Sequence, residues 1–341
     1  MKQEPLSPAQ LQVLVWTGLL APAMEAFPQS ILPGAGRNAW ISVLLGGALA
    51  LGLGRLLASC GGCPAHELKR SLGRAGGTVF LLIYIVWFQL LLTLRLGLCA
   101  HRLLLWGGRD GSRLFFLTVL TLLVLRLAST PLTGFARASQ LFFAALAAAG
   151  LLILVLALPA ARLERLSPVH LPPLSPALTA GGILAAWGLP AAFLPVAYEG
   201  RHYRLRRDLL AVLVLALSQG IILANLGPGL SAQVDVPFFT LAKSVGVEGA
   251  FQRAESAVAA LWIFSDLVLA GLLISAQRQI LRELTDRDGM LLTGLILLAA
   301  IGAWAGTPSP AAALRLLPTA GLLLAVLPPV LIRMTEALHG G

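Results

Sequence analysis

The chain has 341 residues, 57% of them hydrophobic and 12% charged, with a mean hydropathy of +0.85. Soluble globular chains carry about 25% charged residues, so a soluble domain of this length is excluded and lipid is the solvent for most of the chain. The net charge of +10 does not mark a nucleic-acid binder, because the basic residues sit in short loops between apolar blocks, as topology signals do.

The N-terminus, MKQEPLSPAQ, is polar, and the apolar segment after it lacks a small-residue cleavage site. No cleavable signal peptide is expected. A span needs about 20 apolar residues. On that rule helices fall near 9–32, 40–58, 76–104, 113–128, 134–158, 176–198, 208–227, 252–277, 289–306 and 312–333. Gly, Pro and charged residues punctuate the gaps. No hydrophilic stretch is long enough to form a soluble domain. The expected architecture is all-α and integral to the membrane: a single polytopic domain over 1–341 with about ten transmembrane helices.

Two spans read as broken. The first contains Pro22 and Pro28, and the sixth contains Gly188, Pro190 and Pro195. Proline removes a donor and clashes with the preceding turn. In lipid, the freed backbone groups must find partners or line a cavity. The interruptions head two halves of five spans, about 8–158 and 176–333, the pattern of inverted-repeat transporters with unwound helices at the substrate site. An ordinary proline kink is the plainer alternative.

Basic residues set the orientation. With the N-terminus in the cytoplasm, 15 of them fall inside, including Arg201, Arg204, Arg206 and Arg207, and 9 outside, including Arg37, Arg102 and Arg165. This bias predicts both termini inside.

Ionisable residues within spans are functional candidates, because a charge in the bilayer is costly. Glu25 sits in the expected break of span one, where it would face a substrate amine, pair with Arg95, or be solvated in a vestibule. Arg95, about 19 residues or roughly 28 Å into span three, either snorkels to headgroups or forms a buried pair. Asp266 is too short to snorkel and reads as facing an aqueous cavity or taking a proton. Tyr84 and Phe88 share a face of span three at i, i+4, as a site wall or as packing. Gly46, Gly47, Gly52 and Gly54 in span two read as close helix packing.

Enzyme signatures are absent: there is no GxSxG, no HExxH and no Walker A lysine. Cys60 and Cys63 form a CxxC without the further ligands that zinc needs, and Cys99 reads as a packing residue. His66, His101, His170, His202 and His339 are scattered. No cofactor or metal is expected.

Several blocks carry a family resemblance. They are GRNAWISVLLGG at 36–47, TLRLGL at 93–98, ARASQ at 136–140, and QVDVPFFTLAKSVGVEGAFQRAESAVAALWIFS at 233–265. They resemble the permease-like (B-type) subunits of spore germination nutrient receptors, in the amino acid–polyamine–organocation superfamily. The chain departs from that family's Gly-x-Gly in span one, where it has Ala21, Pro22 and Ala23. It has WGLP at 187–190 in place of the Gly-x-Glu-like element, and Leu96 after Arg95 where glutamate is common.

The resemblance implies a LeuT-like fold with broken helices 1 and 6, and a germinant-sensing role in the inner membrane of a bacterial spore. It implies a small nutrient ligand such as an amino acid. The implied partners are a second membrane subunit with soluble domains and a lipoprotein subunit. Candidate ligand-binding residues are then Ala21, Pro22, Ala23, Met24 and Glu25 in span one, Tyr84 and Phe88 in span three, Trp187, Gly188 and Leu189 in span six, and Asp266 in span eight. A secondary transporter for an amino acid or related solute is the alternative, since one fold serves both roles.

Overall fold

The computed structural model describes residues 6–58, 64–107, 112–195, 205–245, 254–285, 287–306 and 310–339. The expectations placed on Cys60, Cys63, Arg201, His202 and Arg204 lie outside these residues. The elements are α1 (Pro8–Ala35), α2 (Ala39–Ala58), α3 (Pro64–Gly107), α4 (Arg113–Ala128), α5 (Leu132–Ala157), α6 (Leu174–Gly188), α7 (Leu205–Gln233), α8 (Pro237–Ser244), α9 (Ala254–Leu284), α10 (Asp288–Trp304) and α11 (Pro310–His339). No strand occurs among the described residues.

Among the described residues, seven stretches are long and apolar enough to cross a bilayer, the first covering α1 and α2 together. Large apolar side chains point outward from them, among them Val86, Leu141, Leu151 and Leu323. Such a surface is compatible with lipid and not with water. The protein is an all-α integral membrane protein.

Local chemistry explains the helix ends. Ser7 caps α1, accepting from the Gln10 backbone N–H (3.2 Å) while the Gln10 side chain accepts from the Ser7 N–H (3.1 Å). Pro8 follows at the first helical position, where a missing donor costs nothing. Gly73 (φ 72°) breaks the backbone early in α3, and Gly227 (φ 76°) does so late in α7. α8 lies in the gap between the seventh and eighth expected spans, with Phe238, Phe239 and Leu241 buried.

Polar ties pin the two ends of the bundle. On the face where α1 starts, the N-face, the Leu6 N–H donates to Pro195 O (3.1 Å), Lys69 Nζ to Glu283 O and Arg278 to Ala128 O. On the far face, Arg113 Nη2 donates to Ala303 O (2.7 Å).

Helix contacts in the interior use small residues, as expected where lipid removes the hydrophobic drive between helices. A Cβ on Gly46 of α2 would lie 2.5 Å from the backbone N of Gly181 in α6, and one on Gly182 would lie 2.1 Å from Pro318 O of α11. Gly47 meets Val212 of α7 in the same way. Gly52 does not belong to this set, because it faces open space.

The break expected in the first span is absent. α1 runs unbroken from Pro8 to Ala35, through Pro22, Pro28 and Pro33. The sequence gives the reason: Pro22 is flanked by Ala21 and Ala23, the strongest helix former on either side. Without glycine there, no residue is free to take the positive φ that an unwound turn needs. In the sixth span the α-helix does stop at Gly188, and Leu189–Phe193 continue as a 3-10 turn.

Candidate functional site

Four ionised side chains meet in the interior. Glu25 comes from α1, Arg95 and Arg102 from α3, and Asp266 from α9. Arg95 and Arg102 are seven residues apart, two helical turns, so both leave α3 on one face. Glu25 lies about ten residues before the end of α1, roughly 15 Å beneath the far face. The cluster is therefore at membrane depth.

Its geometry is closed. Arg95 Nε and Nη2 both donate to Asp266 Oδ1, at 2.9 and 2.5 Å. Arg95 Nη2 also donates to Glu25 Oε2 at 2.8 Å. Arg102 Nη2 donates to Asp266 Oδ2, and Arg102 Nη1 lies 3.2 Å from Glu25 Oε2. The side chains of Arg95, Arg102 and Asp266 are each 2% exposed and that of Glu25 is 11% exposed, so water does not screen these pairs. Two positive charges face two negative ones, and the cluster is neutral as a whole. α6 closes one side: the Trp187 ring lies beneath the Arg95 guanidinium, 5.6 Å from carbon Cζ to the centroid, within cation–π range.

Neighbouring contacts fix α1 against α9 just before Pro22. Ser265 Oγ donates to Thr17 O (2.5 Å). Gly18 lies so close to α9 that a Cβ there would be 3.1 Å from Leu269 N.

These positions resolve the alternatives read from sequence. Arg95 does not snorkel, because its guanidinium is buried in the cluster. Asp266 does not face an aqueous cavity, because both its oxygens are taken by guanidinium donors. Glu25 pairs with Arg95. Arg102 does not belong with the loop arginines, since it is 1% exposed inside α3. Sequence reasoning missed it, although its spacing from Arg95 on one helix was the available signal.

The remaining candidates divide into two groups. Ala21, Pro22, Ala23, Met24, Trp187 and Leu189 are buried where α1 and α6 adjoin the cluster, and Gly188 faces Leu19 of α1. Tyr84 and Phe88 lie nearer the N-face and pack on Phe193 from the 3-10 turn. Phe193 is 4.9 Å from Tyr84 and 5.5 Å from Phe88, the latter edge to face at 84°, a favoured aromatic arrangement. Tyr84 Oη donates to Leu324 O of α11 (2.7 Å). A separate polar pocket bounded by Thr130, Ser275, Arg278 and Gln279 has room for about one water molecule and lies at the N-face, away from the cluster.

A third buried carboxylate ties α1 to α7. Asp208 Oδ1 accepts from Gln12 Nε2 and Trp16 Nε1, each at 2.8 Å. Comparison with known families now adds to the geometry. Residues 5–190 match the spore germination protein family. The chain belongs to that family. No curated protein matches it. In this spore germination protein the matched region runs from the start of α1 to the 3-10 turn after α6. It holds Glu25, Arg95, Arg102 and Trp187, while Asp266 lies beyond it. The family match and the charge cluster thus meet on α1, α3 and α6.

Proposed function

We propose that the protein is a membrane subunit of a spore germinant receptor that senses a small nutrient, such as an amino acid, and signals to partner subunits. The reading rests on the neutral cluster of Glu25, Arg95, Arg102 and Asp266, joined to α6 through Trp187. A buried charge stripped of its partner is strongly destabilising. A ligand that opens the cluster must therefore replace what it removes. An amino acid supplies an ammonium group for Glu25 and Asp266 and a carboxylate for Arg95 and Arg102. A neutral sugar or a simple ion leaves at least one buried charge uncompensated.

Exchange of this kind releases α1 from α3, and the difference in affinity between the closed and exchanged states is what shifts the equilibrium. In a LeuT-like 5+5 arrangement, α1 and α6 head the two halves and α3 and α9 are their third members. The cluster then joins two repeat-related pairs of helices. Ala21–Glu25 and Trp187–Leu189 are the ligand contacts of this scheme, with Tyr84 and Phe88 below. The subunit lies in the inner membrane of the spore with both termini in the cytoplasm. It acts through its lateral faces and loops on a second membrane subunit and a lipoprotein subunit.

Thermal unfolding of the detergent-purified protein tests this against a panel of amino acids, glucose and potassium chloride. A ligand at 100 times its Kd stabilises by about 2.7 kcal/mol. One or more amino acids raise the unfolding temperature of the native protein and fail to raise that of Glu25→Gln. Stabilisation by glucose alone would sink the reading. Accumulation of a labelled amino acid inside proteoliposomes would assign the protein to transport instead.

A further inference from the structure

The broken end of α7 has unusual partners. Pro228 has no N–H to offer Ala224 O, and the turn at Gly227 draws the chain away from the helix. The last carbonyls of the straight part are taken from outside the helix. The Arg162 N–H donates to Ala224 O (3.0 Å). The Arg165 guanidinium donates to Asn225 O and to Ala224 O (3.4 Å). Both arginines belong to the α5–α6 connection.

The same connection reaches the corner between α1 and α2. Arg37 Nη1 donates to Ser167 O (2.6 Å). Asn38 Nδ2 lies 3.2 Å from the His170 ring nitrogens, and the His170 N–H donates to Asn38 Oδ1 (3.4 Å). Packing anchors only part of the segment: Leu166 lies against the core and Pro172 is buried, while Leu163, Val169 and Leu171 are 74%, 62% and 78% exposed. Polar ties make its attachments to the α1–α2 corner and to α7.

We infer that residues 158–173 form a strap that fastens the α1–α2 corner to the broken end of α7 and keeps the far face closed. α1 and α7 are then joined at both ends, by Asp208 at the N-face and by the strap at the far face. The strap is the end built to open. Its arginines bind neutral carbonyls near the surface, so water can replace each partner without stranding a buried charge. The carboxylates of the central cluster have no such freedom. The outer half of α1, which carries Glu25, moves away from α7 only when the strap lets go. This inference is independent of which ligand the protein senses.

Thiol labelling tests it. With Cys60, Cys63 and Cys99 replaced, Ser30→Cys places a reporter where a buried hydroxyl lies near the far end of α1. Arg165→Gln raises the rate of maleimide modification roughly ten-fold, the effect of losing one hydrogen bond from a charged donor, and Arg165→Lys raises it less. A short bifunctional thiol reagent joining Asn38→Cys to His170→Cys suppresses labelling in both the parent and Arg165→Gln. Labelling that ignores both Arg165→Gln and the cross-link overturns the strap. If Arg165→Gln does not run as a single species on gel filtration, the cross-link in the parent decides alone, and unchanged labelling there overturns it.

Discussion

The Arg95 guanidinium grips a single oxygen of Asp266 with two of its nitrogens, Nε at 2.9 Å and Nη2 at 2.5 Å. That leaves Asp266 Oδ2 to Arg102. One short carboxylate thus holds two cations and ties α9 to α3 at two points separated by two helical turns.

Removal of one member should therefore cost more than removal of a pair. Asp266→Leu leaves Glu25 alone opposite two buried guanidinium groups and is expected to destabilise the protein by about 3–5 kcal/mol. Asp266→Leu combined with Arg95→Leu leaves Glu25 opposite Arg102, one charge of each sign, and should recover part of the loss. Denaturation of the three proteins in detergent checks this. A double variant no more stable than the single one would show that the charges are not mutually compensating. Impaired nutrient-triggered germination by assembled Asp266→Leu is the functional counterpart.

Helix contact through glycine gives a second prediction. Gly182→Ala places a methyl 2.1 Å from Pro318 O, backbone that cannot rotate away, so α11 must shift. The expected cost is about 1–3 kcal/mol. Gly52→Ala meets nothing within 4 Å and should be neutral or slightly stabilising, since alanine favours helix over glycine by about 1 kcal/mol. Equal unfolding temperatures for the two variants would contradict the packing described.

Because α1 is continuous, Pro22 sits in a helix interior, where proline is about 3 kcal/mol less favourable than alanine. Pro22→Ala restores a donor to the carbonyl of Gly18 and should raise the unfolding temperature, partly offset by removal of the buried pyrrolidine ring. If the receptor reading holds, the same variant responds more weakly to nutrient, because α1 yields less readily at that turn. A lowered unfolding temperature would mean that the ring's packing outweighs the missing hydrogen bond.

Orientation is open to direct measurement. Arg207 is exposed at the start of α7, on the N-face. In a protein free of its native cysteines, Arg207→Cys should react with a membrane-impermeant maleimide only from the cytoplasmic side. Reaction only from outside would reverse the assignment of both termini.

Much of the framework follows from sequence alone. Long apolar blocks separated by Gly, Pro and charged residues locate the helices, because a bilayer demands about 20 apolar residues per crossing and leaves no backbone group unpaired. Glu25, Arg95 and Asp266 stand out for a related reason: each is too costly in lipid to be incidental. Tertiary structure decided what those residues do. Sequence offered Arg95 a choice between headgroups and a buried partner, and left Arg102 among the loop arginines, because helix rotation and the depth of a helix end depend on neighbours rather than on composition. The continuity of α1 through Pro22 was a choice of the same kind. Proline weakens a turn by an amount that sequence can estimate, but whether the turn holds depends on what packs against it, here Leu269 against Gly18 and Ser265 on the Thr17 carbonyl. Burial of the four charges together, and with it the candidate site, exists only once α1, α3, α6 and α9 are side by side.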